Sequence, residues 1–166
     1  HTCKSLVSII VPNGVISIGE RAFFNCSRLT SVIIPESIIS IGSDAFGKCD
    51  SLIFNDYYDA KYLGNENNPY YSLIEAKHTT AIDLNKKTKV VAAGVFKDYF
   101  ALTQVYIPHS VISIGDNAFA GCFGLTKVLY EGSKDDWANI KENENNEYLN
   151  SQTLYYYSES APTESG

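Results

Sequence analysis

Apolar and polar positions recur along the chain every 23 residues. Cys3, Cys26 and Cys49 mark successive periods, and segments 3–25 and 26–48 are identical at 11 of 23 positions. The shared pattern is Cys-x-x-Leu-x-Ser-x-Ile-x-Pro, followed by Ile-Ser-Ile-Gly and then Ala-Phe. Residues 99–121 have the same sequence pattern. A weaker copy before them has other residues in place of the Pro, Gly and Cys, namely Asn85, Ala92 and Tyr99. Self-similarity at a fixed period indicates a repeat architecture.

Each period predicts the same short elements. Leu and Ile alternate with exposed positions as one strand, which Pro12 ends because it has no amide for the ladder. Gly19 can supply a positive φ angle for the next turn, and residues 21–24 can close one helical turn that places Phe23 in the core. A unit of this length cannot bury its apolar residues alone, so stacking is required. We expect a repeat solenoid with parallel β-strands over residues 1–158, whose units start near residues 3, 26, 49, 76, 99 and 122.

The repeat is interrupted after Leu52. The interval from Cys49 to Tyr99 is 50 residues, four more than two periods. Segments 60–64 and 70–77 alternate around the turn-rich residues 65–69, which predicts a β-hairpin insertion over about 55–77. We expect this hairpin to project from the solenoid. Its tyrosines, including Tyr62 and Tyr70, suit recognition, although they could instead cover the flank where a repeat is lost.

A different end structure is predicted at residues 131–158. Ser133 can cap a short helix over 133–140, with Trp137 closing the end of the core. Residues 154–157 predict a last strand, and residues 159–166 have the composition of a linker tail.

Side chains on either side of each buried strand residue point outward. Stepping by the repeat aligns one outward column, which contains Ile10, Ile33, Asp56, Asp83, Tyr106 and Leu129. A column with several aliphatic residues and a tyrosine favours a recognition surface, although strand propensity alone also favours Ile and Tyr. The candidate binding residues are five residues of this column, without Asp56, together with two hairpin tyrosines: Ile10, Ile33, Asp83, Tyr106, Leu129, Tyr62 and Tyr70.

The unit pattern CxxLxxIxIPxxVxxIGxxAFxx resembles the BspA-like leucine-rich repeats of bacterial surface proteins. The resemblance covers nearly the whole chain. It implies a right-handed superhelix with parallel strands and short helical or 3-10 turns. It also implies a non-enzymatic, extracellular or cell-surface module that binds a protein or glycan on a host or neighbouring cell. The alternative is a structural spacer with no ligand of its own.

Other chemistry is not supported by the residue types and their spacing. No Cys-x-x-Cys occurs and the three histidines are scattered, so we expect neither a metal site, a cofactor, nor a catalytic residue. Parallel side chains are poorly oriented for bridging, which favours buried free thiols over disulfides.

The composition and net charge of the chain exclude some classes of binding partner. With 45% hydrophobic and 19% charged residues the chain is globular, and its net charge of −6 argues against nucleic acid. No apolar run is long enough for a membrane span, and we expect no signal peptide in this stretch. Because the sequence starts in mid-repeat, we expect a fragment of a longer parent that self-associates through an open N-terminal edge.

Overall fold

The computed structural model describes residues 3–142, 144–149 and 154–157. It is a β-solenoid of about six turns with little helix. The strands are β1 (Ser8–Ile10), β2 (Ser17–Ile18), β3 (Ser31–Ile33), β4 (Ser40–Ile41), β5 (Asn55–Tyr57), β6 (Ala60–Leu63), β7 (Ser72–Ala76), β8 (Ala81–Asp83), β9 (Val90–Val91), β10 (Gln104–Ile107), β11 (Ser113–Ile114), β12 (Lys127–Glu131), β13 (Lys141–Glu142) and β14 (Leu154–Tyr157). The helices are α1 (Lys134–Ala138) and a 3-10 turn (Glu147–Leu149). In this part of the chain no helix is long and apolar enough to cross a membrane.

Two ladders of short parallel strands run along the solenoid. The first face is built from β1-β3 and from β8-β10-β12-β14, and the second from β2-β4 and from β7-β9-β11-β13. Neighbours align with the repeat, as in Ile9↔Val32 and Val105↔Val128. The predicted parallel solenoid is confirmed. Its core contains the repeated Leu, Ile and Phe positions, and the phenylalanines of neighbouring units stack in pairs, Phe23 on Phe46 and Phe96 on Phe119.

The third side of each unit is a turn rather than the expected helical turn. Arg21 and Asn25 have left-handed φ angles of 54° and 61°, which a helix cannot contain. The alternate N–H groups therefore point along the solenoid axis: Phe23 N–H donates to the Ala45 carbonyl oxygen at 2.8 Å. These bonds between units alternate with bonds within the unit, in which Ala22 N–H donates to Gly19 and Phe24 N–H donates to Arg21.

The glycine of the Ile-Ser-Ile-Gly motif is needed for close approach between units, not for the expected positive φ angle. A Cβ on Gly42 would collide with the backbone of Glu20, and one on Gly115 with the backbone of Ala93. The equivalent Gly19 has open space around it. The glycine is thus required where a preceding unit lies against it.

The insertion is a three-stranded antiparallel unit, β5-β6-β7, within the second face. The predicted hairpin is present as β6 and β7, but the expectation that it projects is wrong. β7 pairs in parallel with β9, and the insertion buries Ala60, Tyr62, Leu63, Tyr71 and Leu73. The hairpin takes the place of a lost repeat because its apolar side chains complete the core.

The C-terminal cap forms as predicted over its described part. Ser133 and Asp136 form a capping box at the start of α1, and the Ser133 hydrogen bonds lower the pKa of Asp136. Trp137 is buried and packs edge-on against Tyr130. Asn146 accepts from Phe119 N–H at 3.0 Å and donates to Gly115 at 2.9 Å. The predicted linker over 159–166 lies outside the described residues.

Two of the four cysteines are bridged, which corrects the expectation of free thiols. Cys3 and Cys26 form a disulfide with their Cα atoms 4.8 Å apart. The stacking distance of parallel units places these Cα atoms within disulfide range. Cys49 and Cys122 are buried free thiols. Each donates to a phenylalanine carbonyl of the preceding unit at 3.1 Å.

Candidate binding surface

The outward side of the first face holds a groove beside Ile10 and Ile33. These side chains are 70% and 40% exposed and lie in register on β1 and β3. The groove has a volume of about 640 Å³, within the range of ligand pockets. Its lining residues come from the first two units and the insertion loop: Ile10, Val11, Pro12, Asn13, Ile33, Pro35, Glu36, Asn65, Glu66 and Asn67.

The insertion loop forms a fixed wall of this groove. Asn65 Oδ1 accepts from the N–H groups of Asn67 and Asn68, which closes the turn. The loop is also tied to β3's continuation, because Ile34 N–H donates to Gly64 and Asn65 Nδ2 donates to the Ile34 carbonyl, both at 2.9 Å. A wall held by these bonds is pre-organised, which lowers the entropy cost of binding.

The groove combines apolar and polar recognition chemistry. Its lining includes two isoleucines, two prolines and three asparagines. The charged lining residues are Glu36 and Glu66, both exposed, and no lysine or arginine is among the lining residues. The groove therefore favours a neutral or cationic ligand with an apolar surface.

The far half of the predicted strip is largely occupied by the protein's own contacts. Asp83 is exposed, but Tyr106 is half-buried and its hydroxyl donates to Glu131 Oε2 at 2.7 Å. Leu129 is only 6% exposed, so its expected exposure is wrong. The register places it between Tyr106 and Tyr155, because β14 adds a further strand beside β12.

The hairpin tyrosines are not a free recognition surface. Tyr62 is fully buried, so the expectation that a partner touches it is wrong. Its hydroxyl accepts from Asn85 N–H at 3.0 Å and contacts Thr88 Oγ1 at 3.3 Å. Burial raises the pKa of Tyr62, against the effect of these hydrogen bonds. Tyr70 is half-buried and packs edge-on against Tyr62 and Tyr57. Their position agrees with the alternative interpretation, in which these rings cover the flank where a repeat is lost.

The outward column predicted from the sequence does not include the other residues that line the groove with Ile10 and Ile33. Glu36, Asn65 and Glu66 lie in turns, and their partnership with Ile10 and Ile33 depends on where the insertion loop docks. The turn-rich composition of residues 65–69 located the loop but not its neighbours. Among the described residues, no group of three metal-ligating side chains is close enough to hold an ion.

The chain is similar to several bacterial leucine-rich repeat proteins of solved structure. No curated protein matches the chain. It is similar to a leucine-rich repeat protein of T. pallidum (25% identity, TM-score 0.37, 75% of this chain and 58% of that one). It is also similar to a leucine-rich repeat protein from Bacteroides ovatus (23%, 0.37, 95% and 31%). A leucine-rich cell surface protein from Faecalibacterium prausnitzii is a further match (16%, 0.33, 84% and 63%). The chain thus spans less than two thirds of each of these proteins.

The family model agrees with the repeat structure described above. The model for the BspA type leucine rich repeat region matches in six copies, over residues 1–126 and 66–143. These ranges cover the stacked units, the insertion and the start of the C-terminal cap. Together with the 23-residue register of both ladders, they show that the chain belongs to the BspA-type leucine-rich repeat family.

Proposed function

We propose that this chain is a binding module of a bacterial cell-surface or secreted protein, and that its ligand is a protein or glycan on a host or neighbouring cell. The observation that carries the proposal is the groove beside Ile10 and Ile33. Two branched aliphatic side chains exposed in line beside a hydrogen-bonded wall are unusual for a surface that contacts only water. Burying one of them under a ligand contributes about 1.5 to 3 kcal/mol.

The disulfide supports an extracytoplasmic location. Disulfides persist in oxidising compartments and are rare in the reducing cytosol. A Cys3–Cys26 bridge is therefore consistent with a secreted or surface-attached protein. The bridge can be tested by intact mass, because the oxidised protein should weigh less than the reduced one by two hydrogens. Alkylation of four thiols in the denatured, unreduced protein would remove this support.

A non-enzymatic role fits the family and the chemistry of the groove. BspA-type repeats are typically non-enzymatic. The groove holds two exposed carboxylates and amide side chains but neither a nucleophile–base pair nor a histidine. Binding without turnover is the function that this arrangement supports.

The second candidate function, a structural spacer, is favoured by the far half of the first face. Tyr106 and Leu129 are engaged with neighbouring groups and offer little to a partner. In a spacer, the outward side chains along the whole face would be engaged in this way with the protein's own groups. Asp83 and Tyr106 do not line the groove, so the groove decides between the two functions.

The test is binding to arrayed glycans and host extracellular proteins, followed by variants of the groove. For any ligand found, Ile10→Ser with Ile33→Ser should weaken binding at least about tenfold, which is 1.4 kcal/mol. Ile16→Ser is the matched control, since Ile16 is 59% exposed but does not line the groove. Equal affinity of the double variant and the control would place binding elsewhere. The absence of any ligand would favour the spacer.

Self-association through β1 forms a further part of the proposal. In the described part of the chain β1 pairs with β3 alone, and an unpaired strand edge promotes pairing with a second chain. Sedimentation over a range of concentrations should show reversible association. A monomer at all concentrations would contradict it.

A further inference from the structure

The lost repeat leaves a wedge-shaped cavity on the third side of the solenoid. Its walls are the turn of the second unit, the turn after β9 and the end of β7, and its volume is about 290 Å³. The two turns touch at one end, where Ala93 N–H donates to the Ile41 carbonyl at 2.9 Å. Beyond that contact both turns line the cavity, at the position that the turn of the lost repeat would take.

One wall of this cavity presents unused backbone donors. In the first unit, the N–H groups of Arg21 and Phe23 donate to the carbonyls of Ser43 and Ala45 in the next unit. The corresponding N–H groups of the second unit belong to Asp44 and Phe46, which both line the cavity. Neither has a hydrogen-bond partner among the described residues, although Phe46 is only 2% exposed.

The facing wall presents unused acceptors. The carbonyls of Asp116 and Ala118 accept from Gly94 and Phe96, and they correspond to those of Ala93 and Val95 one unit earlier. Ala93 and Val95 line the cavity, and no N–H in the described part of the chain donates to their carbonyls. Because the solenoid repeats, these carbonyls point back toward the second unit.

The end of the solenoid shows how the same donors are satisfied elsewhere. The N–H of Phe119, which corresponds to that of Phe46, donates to the side-chain oxygen of Asn146 in the C-terminal cap. Such compensation is usual for a buried backbone group, since a buried donor without a partner is destabilising. No described residue caps the Phe46 N–H in the same way.

We propose that this cavity is a docking site for an extended peptide segment of another protein, which completes the missing turn by backbone hydrogen bonding. A peptide offers N–H groups to one side and carbonyls to the other, which matches facing rows of acceptors and donors. The lining is apolar and small at Ala45 and Ala92, so small side chains fit inward.

The charges of the cavity select a basic peptide. Asp44 and Glu75 are exposed lining residues, and no lysine or arginine lines the cavity. The nearby Lys48 ammonium lies 5.5 Å from the centre of the Phe24 ring, on the neighbouring turn. A segment with a lysine or arginine beside small apolar residues is thus complementary. This proposal is independent of the groove at Ile10 and Ile33.

Amide hydrogen exchange tests the free protein. The amide of Phe46 should exchange at least about 100-fold faster than those of Phe23 and Phe96, because paired buried amides exchange only through opening. The two reference amides each donate to a carbonyl at 2.8 Å. Protection of Phe46 equal to theirs would overturn the proposal. Phe46 protection that grows with protein concentration would also overturn it, because a second copy would then be the occupant.

A synthetic peptide tests the occupant. The probe has the sequence of residues 17–25 with Glu20→Lys, Phe23→Ala and Phe24→Ala, which supplies the backbone of the missing turn, small side chains and a basic charge. We expect it to bind and to slow Phe46 exchange. The same peptide N-methylated at the positions of Arg21 and Phe23 should bind at least about tenfold more weakly, since it cannot donate to the facing carbonyls. No binding, or equal binding of the two peptides, would overturn the proposal.

Protein variants separate this site from the groove. Asp44→Asn combined with Glu75→Gln should lower the affinity for the basic peptide about five- to tenfold. Asparagine is chosen at position 44 because it tolerates the left-handed φ angle of 53° there. Glu20→Gln, on the equivalent turn of the first unit, is the control and should bind normally. Ile10→Ser with Ile33→Ser should leave peptide binding unchanged. Loss of peptide binding in the groove variant alone would refute a separate site.

Discussion

The hydroxyl of Tyr62 compensates for the residue that replaces proline in the degenerate unit. In the other complete units Pro12, Pro35 and Pro108 end the first strand and have no N–H to satisfy. Asn85 takes this position and makes the same turn, with Thr88 N–H donating to its carbonyl at 2.9 Å. Its additional N–H is taken by Tyr62 at 3.0 Å. The insertion thus supplies an acceptor that only this unit needs.

Tyr62→Phe should therefore destabilise the protein by about 1 to 3 kcal/mol, the usual cost of an unsatisfied buried donor. Tyr62 is fully buried and Asn85 is 9% exposed, so water cannot easily replace the lost hydroxyl. The measurement is the free energy of unfolding in urea at neutral pH. Tyr58→Phe is the control, because Tyr58 is 83% exposed, and it should leave stability unchanged.

A double-mutant cycle tests the reason as well as the size of the effect. Asn85→Pro removes the N–H at a position where three other units already hold proline. In that background Tyr62→Phe should cost less than about 0.5 kcal/mol, since only the weaker contact with Thr88 remains to be lost. An equal cost of Tyr62→Phe in both backgrounds would refute the compensation and assign the effect to packing.

Three further predictions follow from the packing between units. Gly42→Ala should destabilise the protein by about 1 to 3 kcal/mol through a clash with the preceding turn, whereas Gly19→Ala should be tolerated; equal urea midpoints would contradict this. Asn146→Ala should cost at least about 2 kcal/mol because a donor and an acceptor lose their partners, and Glu147→Ala, at an exposed position one residue on, provides the comparison in thermal unfolding. The free energy of unfolding should fall as pH rises above about 9, because burial raises the pKa of Cys122 to about 11 and the thiol of the unfolded chain loses its proton at a lower pH. Urea unfolding at pH 7 and 10 measures this loss of stability. A smaller loss in Cys122→Ala than in the parent protein would support the prediction, and an equal loss would contradict it.

The parts of the fold that the sequence predicts are those that repeat. One strand per unit, the stacking of Leu and Phe positions, and the Ser133 cap are each specified within about one period of the chain. A pattern repeated at equal spacing predicts its own neighbours, because each unit buries its apolar face against a copy of itself. For the same reason the outward positions of Ile10 and Ile33 could be predicted without a structure.

The tertiary structure decided what happens where the repeat fails. Residues 65–69 are recognisable as a turn, but only the docked insertion places Asn65 against Ile34, and so makes the groove. Alternation predicts that Leu129 is exposed, and the tyrosine-rich hairpin predicts that a partner touches Tyr62, yet both side chains are buried, by β14 and within the insertion. The cavity beside Phe46 depends on which backbone groups are left unpaired between units 50 residues apart. Hydrogen bonds between distant segments satisfy or expose such groups, and no local pattern of residue types records that outcome.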